Sequence, residues 1–287
     1  MKLVNVLVDS ETHLGIQTER GIIDIKQTGQ KLGLELPRTM EDLIQSGAAG
    51  LRNLEELSKH ETVLLPEDSI RYAPCMTSPE KILCVGLNYS SHTKEIEMKI
   101  PEYPILFSKF NNALAAHNQE IQLPDTAVKF DYEAELVVVI GKMCRDVSKA
   151  EALSYVFGYT VGNDLSARDL QMRSGQWLLG KTCDGFAPVG PYLTTADEID
   201  PGHLDIRCEV NGELKQQGNT GQMLFDCATI ISYASQFMTL KPGDILFTGT
   251  PEGVVMGYPD GQQQWLKSGD LVSVTIERLG TLTNRLQ

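Results

Sequence analysis

The stretch Asp131-Tyr132-Glu133-Ala134-Glu135-Leu136-Val137-Val138-Val139-Ile140-Gly141 sets two carboxylates at the head of an apolar run. In a strand, residues two apart share a face, so Glu133 and Glu135 project together and continue into Val137 and Val139. Like charges roughly 6–7 Å apart along a strand repel unless a cation lies between them, which makes the pair suitable for a hard metal ion. A strand whose outer end meets water reads the same way. Asp164 ends a second apolar run, residues 157–163, and either adds a third carboxylate or simply serves as a cap or turn residue. Three oxygen-only ligands favour Mg²⁺ or Mn²⁺ over Zn²⁺ and leave positions open for water and substrate.

Other residues have spacings that suit proton transfer and anion binding. His92 and Glu95 are three apart, so on a helix the carboxylate can orient the imidazole and raise its basicity; a solvated helix carries the same pattern. Arg168 and Gln171 share a helical face after Asp164, and Ser166 with Asp169 reads as a capping box. Lys181 lies in a glycine-rich loop, and Phe247-Thr248-Gly249-Thr250-Pro251 is a turn after a strand. Either loop can bring a cation or hydroxyl and backbone donors to a carboxylate, and ordinary loop chemistry explains them equally well. There is no G-x-G-x-x-G after a strand and no G-x-S-x-G elbow, so neither a dinucleotide site nor a serine hydrolase is indicated.

The elements that must position these groups are mainly strands. Residues 1–70 alternate apolar and polar positions in three short segments, predicting a small antiparallel sheet, followed by a helix from Thr39 to Leu57. Pro66, Pro74 and Pro79 mark a connector, which places a small β-rich N-terminal domain at 1–75 and the larger domain at 76–287. Strands are expected at Ile82–Val85, Ile105–Phe107, Glu135–Ile140, Gly158–Val161, Leu204–Val210, Asp244–Thr248 and Leu271–Ile276. Helices are expected around His92–Met98, Ser166–Met172 and Leu224–Met238. The class is therefore mainly β with peripheral helices (α+β).

With 287 residues, 41% of them hydrophobic, the chain can fill a sizeable core. The six scattered cysteines form no zinc pattern and read as reduced structural thiols. A net charge of −13 argues against nucleic acid, and no apolar stretch approaches a membrane span, so a cytoplasmic protein is expected.

Taken in order, seven pieces resemble the fumarylacetoacetate hydrolase superfamily over about residues 79–287. They are G-x-N-Y-x-x-H-x-x-E at 86–95, P-x-x-F-x-K at 104–109, D-Y-E-x-E-L at 131–136 and N-D-x-S-A-R-D-x-Q at 163–171. The Lys181 loop, P-G-D-I-x-x-T-G-T-P-x-G-V at 242–254 and L-x-x-G-D at 266–270 complete the set. The resemblance implies that Glu133, Glu135 and Asp164 bind Mg²⁺ or Mn²⁺, and that His92 and Glu95 lie on a flexible lid. It also implies that Arg168, Gln171, Lys181, Gly249 and Thr250 meet the substrate, in a mixed β-sandwich roll that assembles as a homodimer. The larger, eponymous hydrolases carry a further metal-binding carboxylate before the lid, where this chain has Gly86-Leu87-Asn88-Tyr89. The chain thus resembles the shorter, acylpyruvase-type branch, and fumarylacetoacetate itself is not the expected substrate.

The activity so implied is cleavage of a C–C bond in an acylpyruvate-type 2,4-dioxo acid, a small anionic 2-oxo acid. His92, oriented by Glu95, activates water, and the metal and Lys181 stabilise the departing pyruvate enolate. Oxaloacetate decarboxylation is the second expectation, dienoate isomerisation or a related tautomerisation the third. A non-catalytic ligand sensor is the reading from a different class.

Overall fold

The computed structural model describes residues 1–60, 62–66, 70–95 and 98–287. Two sheets stack face to face. The larger runs from the edge strand Gly21–Asp24 through Glu11–Thr18, Lys2–Val8, Tyr192–Thr195 and Val156–Asn163 to Ala134–Ile140. It continues through Ile245–Phe247 and Ile82–Gly86 to Ile105–Lys109. Its neighbours are antiparallel except where Ile245–Phe247 runs parallel to Ile82–Gly86. The second sheet is ordered Glu213–Asn219, Asp205–Val210, Leu271–Ile276, Gly280–Leu286 and Glu120–Ile121.

Strand Ala134–Ile140 is buried along its whole length because both of its faces are covered. Leu136, Val138 and Ile140 join Ile206, Cys208, Val272, Val274 and Leu282 in the core between the sheets. Val137 and Val139 pack on the opposite side with Phe247, Cys84, Leu3 and Leu43. An alternation with apolar residues on both faces is the pattern of a central strand, and it makes this strand a rigid mount for the carboxylates at its start.

The first three strands are antiparallel, as their alternation predicts, but they do not form a sheet of their own. Lys2–Val8 pairs with Tyr192–Thr195, so the N-terminal segment extends the sheet that carries the acidic strand. Helix Met40–Leu57 begins at a capping box of Thr39 and Asp42 and is kinked at Gly47. The other long helix, Cys227–Phe237, starts from the cap Asp226. Helix Ser90–Glu95 covers the first part of the one expected at 92–98, and residues 96 and 97 lie outside the described residues.

The expected capping box of Ser166 and Asp169 does not form. Ser166–Ala167 is held in an antiparallel pairing with Phe130–Asp131, so the helix Arg168–Gln171 starts after Ala167 with no side-chain cap. Ser166 Oγ instead donates to the Asp164 carbonyl at 3.0 Å, and Asp169 accepts the Val128 N–H at 2.9 Å.

Candidate metal and substrate site

The antiparallel pairing of Ala134–Ile140 with Val156–Asn163 sets the start of one strand beside the end of the other, with Ala134 opposite Asn163. Two hydrogen bonds lock that corner: Asn163 Oδ1 accepts the Glu133 N–H at 3.1 Å, and the Glu133 carbonyl accepts the Asp164 N–H at 3.0 Å. Residues 133 and 135 and the distant residue 164 thereby turn to one point. Oxygens of Glu133, Glu135 and Asp164 lie within 4.8 Å of one another, and all three side chains are buried.

Such a concentration of charge needs cations, and the described residues supply three. Lys181 Nζ lies 2.7 Å from Glu133 Oε2 and 2.9 Å from Asp164 Oδ2. Arg168 spans Asp131 and Glu133, with Nε 2.8 Å from Asp131 Oδ2 and Nη2 2.7 Å from Glu133 Oε1. Lys109 Nζ stands 2.6 Å from Asp164 Oδ1. Burial pushes the Glu133 carboxyl up, but Lys181 and Arg168 together outweigh it and hold the group well below the usual carboxylate range. Burial likewise pushes Lys181 down, and Asp164 and Glu133 reverse that and raise it.

Four carboxylates meet three cations, and Glu135 is the one left over. Among the described residues its single hydrogen-bond donor is the Gly249 N–H, at 2.6 Å from Oε2. Burial, then repulsion from Asp164 and Glu133, raises its carboxyl well above the ordinary value. An unmatched buried carboxylate beside two others, all offering only oxygen, fits a hard divalent cation. Gly249 makes this contact possible: its φ is +95°, and a Cβ there would stand 2.7 Å from the Asn88 Cβ.

A pocket opens over this centre. Its polar lining is His92, Glu133, Glu135, Arg168, Gln171, Lys181 and Thr250, and the rest is mostly apolar, with Leu87, Phe107, Met172 and Trp177 forming much of the wall. Phe107 and Trp177 meet edge to face at 5.4 Å, and the Lys181 ammonium lies 5.2 Å from the Phe107 ring centre. His92 Nδ1 is 3.4 Å from Glu95 Oε2, while the other Glu95 oxygen accepts the Gly253 N–H at 2.9 Å. The Arg168 guanidinium can only donate, and it donates to Gln171 Oε1 at 2.9 Å, which leaves the amide nitrogen of this pocket-lining residue without a partner among the described residues.

Eight of the ten residues singled out from sequence line this pocket: His92, Glu133, Glu135, Arg168, Gln171, Lys181, Gly249 and Thr250. The other two stand behind them, Asp164 against Lys181 and Glu95 against His92. Sequence reasoning missed Lys109 and Asp131. Both sit inside quoted motifs, yet nothing in the local pattern shows that Lys109 reaches Asp164 or that Asp131 holds Arg168. Asp131 also accepts the backbone N–H groups of Val255 and Met256, at 2.8 and 3.1 Å, which ties the strand to the turn after Thr250.

Among the described residues no helix is long and apolar enough to cross a membrane. A family model described as "Fumarylacetoacetate (FAA) hydrolase C-terminal" matches residues 81–287. The oxaloacetate tautomerase Fahd2a, mitochondrial, of Rattus norvegicus is 41% identical over 96% of this chain and 88% of its own length. Among solved structures, the fumarylacetoacetate hydrolase of psychrophilic Exiguobacterium antarcticum superposes with a TM-score of 0.84 at 32% identity, covering 100% of this chain and 99% of that one. The maleylpyruvate hydrolase of Sphingobium sp. SYK-6, in complex with manganese(II) and pyruvate, gives 0.81 at 30% identity over 100% and 98%. These relatives correct the expected cytoplasmic location, because the oxaloacetate tautomerases are named mitochondrial. Free cysteines and the lack of a spanning helix among the described residues do not single out a compartment. The relatives named are enzymes, the two-sheet architecture is theirs, and the chain belongs to the fumarylacetoacetate hydrolase superfamily.

Proposed function

We propose that the chain is a divalent-metal-dependent enzyme that interconverts the keto and enol forms of an oxaloacetate-type 2-oxo acid. The observation that carries the reading is the convergence of Glu133, Glu135 and Asp164 beside Lys181 and His92, in a chain 41% identical to proteins named oxaloacetate tautomerase. Glu133, Glu135 and Asp164 would hold Mg²⁺ or Mn²⁺, which when bound supplies Lewis-acid polarisation of the 2-oxo group.

The chain's own residues do the rest. Arg168 and the Gln171 amide nitrogen meet the substrate carboxylate, and Lys181 adds positive charge where the enolate oxygen develops. His92, with Glu95 behind Nδ1, exchanges a proton with C3 through Nε2: toward the enol it removes the C3 proton while the 2-oxygen gains one from solvent, and toward the keto form it delivers a proton to C3 while the enol oxygen gives its own to solvent. The apolar wall of Leu87, Phe107 and Trp177 limits access of bulk water.

A second reading is C–C bond hydrolysis of an acylpyruvate, supported by the likeness to the maleylpyruvate hydrolase solved with manganese(II) and pyruvate. There His92 would activate water instead. Decarboxylation of oxaloacetate needs the same enolate and no attacking water. The three are separated by one experiment with chelator-treated protein reconstituted with Mg²⁺ or Mn²⁺. Tautomerisation removes the enol absorbance of fresh oxaloacetate without releasing pyruvate, decarboxylation releases pyruvate and CO₂, and hydrolysis consumes acylpyruvates. Enol decay that is no faster than in buffer would overturn the first reading. Assembly as a two-fold homodimer is part of the proposal, since that is the commonest oligomer; light scattering at micromolar concentration tests it.

A further inference from the structure

We infer that Gln216 is a positioning residue that makes the Thr250 oxygen its acceptor, so that the Thr250 hydroxyl hydrogen is left to donate to a group in the pocket. The inference rests on the reading of that pocket as a site for a 2-oxo acid carboxylate. Gln216 lies on the edge strand Glu213–Asn219 and is the single buried residue of that strand, 1% exposed. A bulge puts it there: Cys208 pairs with Gln216 but Glu209 pairs with Leu214, so Lys215 is an extra residue that re-aims its neighbour. Gly253 closes on the same place at φ +99°, where a Cβ would meet the Lys215 carbonyl oxygen at 2.2 Å.

The two ends of an amide look alike, and only their partners tell oxygen from nitrogen. Here the partners leave one choice. The Ala134 N–H can only donate, and it meets Gln216 Oε1 at 2.9 Å; the Pro251 carbonyl can only accept, and it meets Nε2 at 2.9 Å. Thr250 Oγ1 stands 2.8 Å from that same nitrogen and must therefore accept. Its own hydrogen is left over, and among the described residues none takes it. Thr250 is 3% exposed and lines the pocket, so the remaining hydrogen serves an acceptor bound there, which is what a carboxylate offers. Ala134 sits between Glu133 and Glu135, and the same amide thereby keeps the acidic strand in register with the Thr250 turn.

The test uses oxalate, a dianion with the adjacent oxygens of a 2-oxo acid, titrated calorimetrically into the Mn²⁺-loaded protein. A lost hydrogen bond to a charged group corresponds to about 10–100-fold in affinity. Gln216→Met and Thr250→Val are each expected to weaken oxalate by about that factor, with Mn²⁺ affinity changed much less. In the Thr250→Val background, Gln216→Met should add nothing further, because residues acting through one contact are not additive. Gln216→Leu takes the place of Gln216→Met if the latter does not fold. Additive losses, or oxalate binding unchanged in either single variant, would overturn the inference. Wild-type protein that binds Mn²⁺ but not oxalate would instead overturn the reading of the pocket, and the role of Gln216 with it.

Discussion

Lys109 Nζ stands 2.6 Å from Asp164 Oδ1, and both side chains are completely buried. The contact is an ion pair out of line for a hydrogen bond, because the same ammonium donates to the carbonyls of Leu165 at 3.0 Å, Phe186 at 2.6 Å and Lys181. One lysine thus joins strand Ile105–Lys109 to the segments that carry Asp164 and Lys181. Removing Lys109 leaves Asp164 Oδ1 and three buried carbonyls without their ammonium partner while Lys181 still faces Oδ2, and breaking a buried pair costs about 3–5 kcal/mol. Lys109→Met should lower the unfolding free energy by about that amount in a denaturant titration, and adding Asp164→Asn should recover part of it. A single variant as stable as the wild type would mean that the carbonyls and the pair contribute nothing net.

Glu135 gives the opposite sign. It is the carboxylate with no cation, and burial with repulsion from Asp164 and Glu133 raises its carboxyl. In metal-free protein, Glu135→Gln should therefore raise the melting temperature. The same change should reduce the gain in stability that Mg²⁺ or Mn²⁺ gives, which for the wild type is about 2.7 kcal/mol at a hundred times Kd. Calorimetric scans with and without metal show both effects. Equal metal-induced shifts in variant and wild type would remove Glu135 from the ligand set.

A pH effect arises away from the site. His117 Nδ1 accepts the Thr283 N–H at 3.0 Å, and its ring meets Tyr72 edge to face at 4.8 Å. Burial holds the imidazole below its usual range, so the folded protein keeps it neutral where the unfolded chain takes up a proton. The unfolded state then binds more protons as pH falls. Stability from this group is fully present above about pH 6.5, the unperturbed value, and is lost as pH falls toward the depressed folded value. His117→Gln should flatten the decline in unfolding free energy between about pH 7.5 and 5.5, measured in urea. An unchanged slope would show that other groups control it.

The carboxylates were legible in sequence because strand periodicity acts over two residues and needs no tertiary information. Glu133 and Glu135 announce their shared face, and His92 with Glu95 do the same at helical spacing. What was not legible acts across the sheets. Gln216 contacts Ala134 from 82 residues away, and the polar run Lys215-Gln216-Gln217-Gly218-Asn219 carries no local sign that one member is buried. Lys109 finds Asp164 only once Ile105–Lys109 has taken its place at the sheet edge. The N-terminal strands were visible by their own alternation, but their pairing with Tyr192–Thr195 depends on a partner almost two hundred residues later, which no local pattern encodes. The Ser166 cap failed for the same reason, since pairing with Phe130–Asp131 overrode the local signal.

The dyad carries the last prediction. Glu95 Oε1 accepts the Gly253 N–H at 2.9 Å, and Oε2 is 3.4 Å from His92 Nδ1. When Nδ1 carries the hydrogen toward Glu95, Nε2 keeps its lone pair and can act as a base. In Glu95→Gln the amide oxygen must stay on the Gly253 N–H, which points the amide nitrogen at Nδ1. That nitrogen donates, so the imidazole is driven to the tautomer with hydrogen on Nε2, and the base is lost without loss of the ring. Glu95→Gln and His92→Ala should therefore slow enol decay of oxaloacetate by a similar factor, about 10²–10⁴ for a missing general base. Acylpyruvate hydrolysis, where present, should fall with it, while decarboxylation should fall less because its bond-breaking step moves no proton at C3. Mn²⁺ affinity should change little in either variant. If Glu95→Gln keeps the wild-type rate while His92→Ala does not, Glu95 does not set the tautomer, and its contact with Gly253 is the whole of its role.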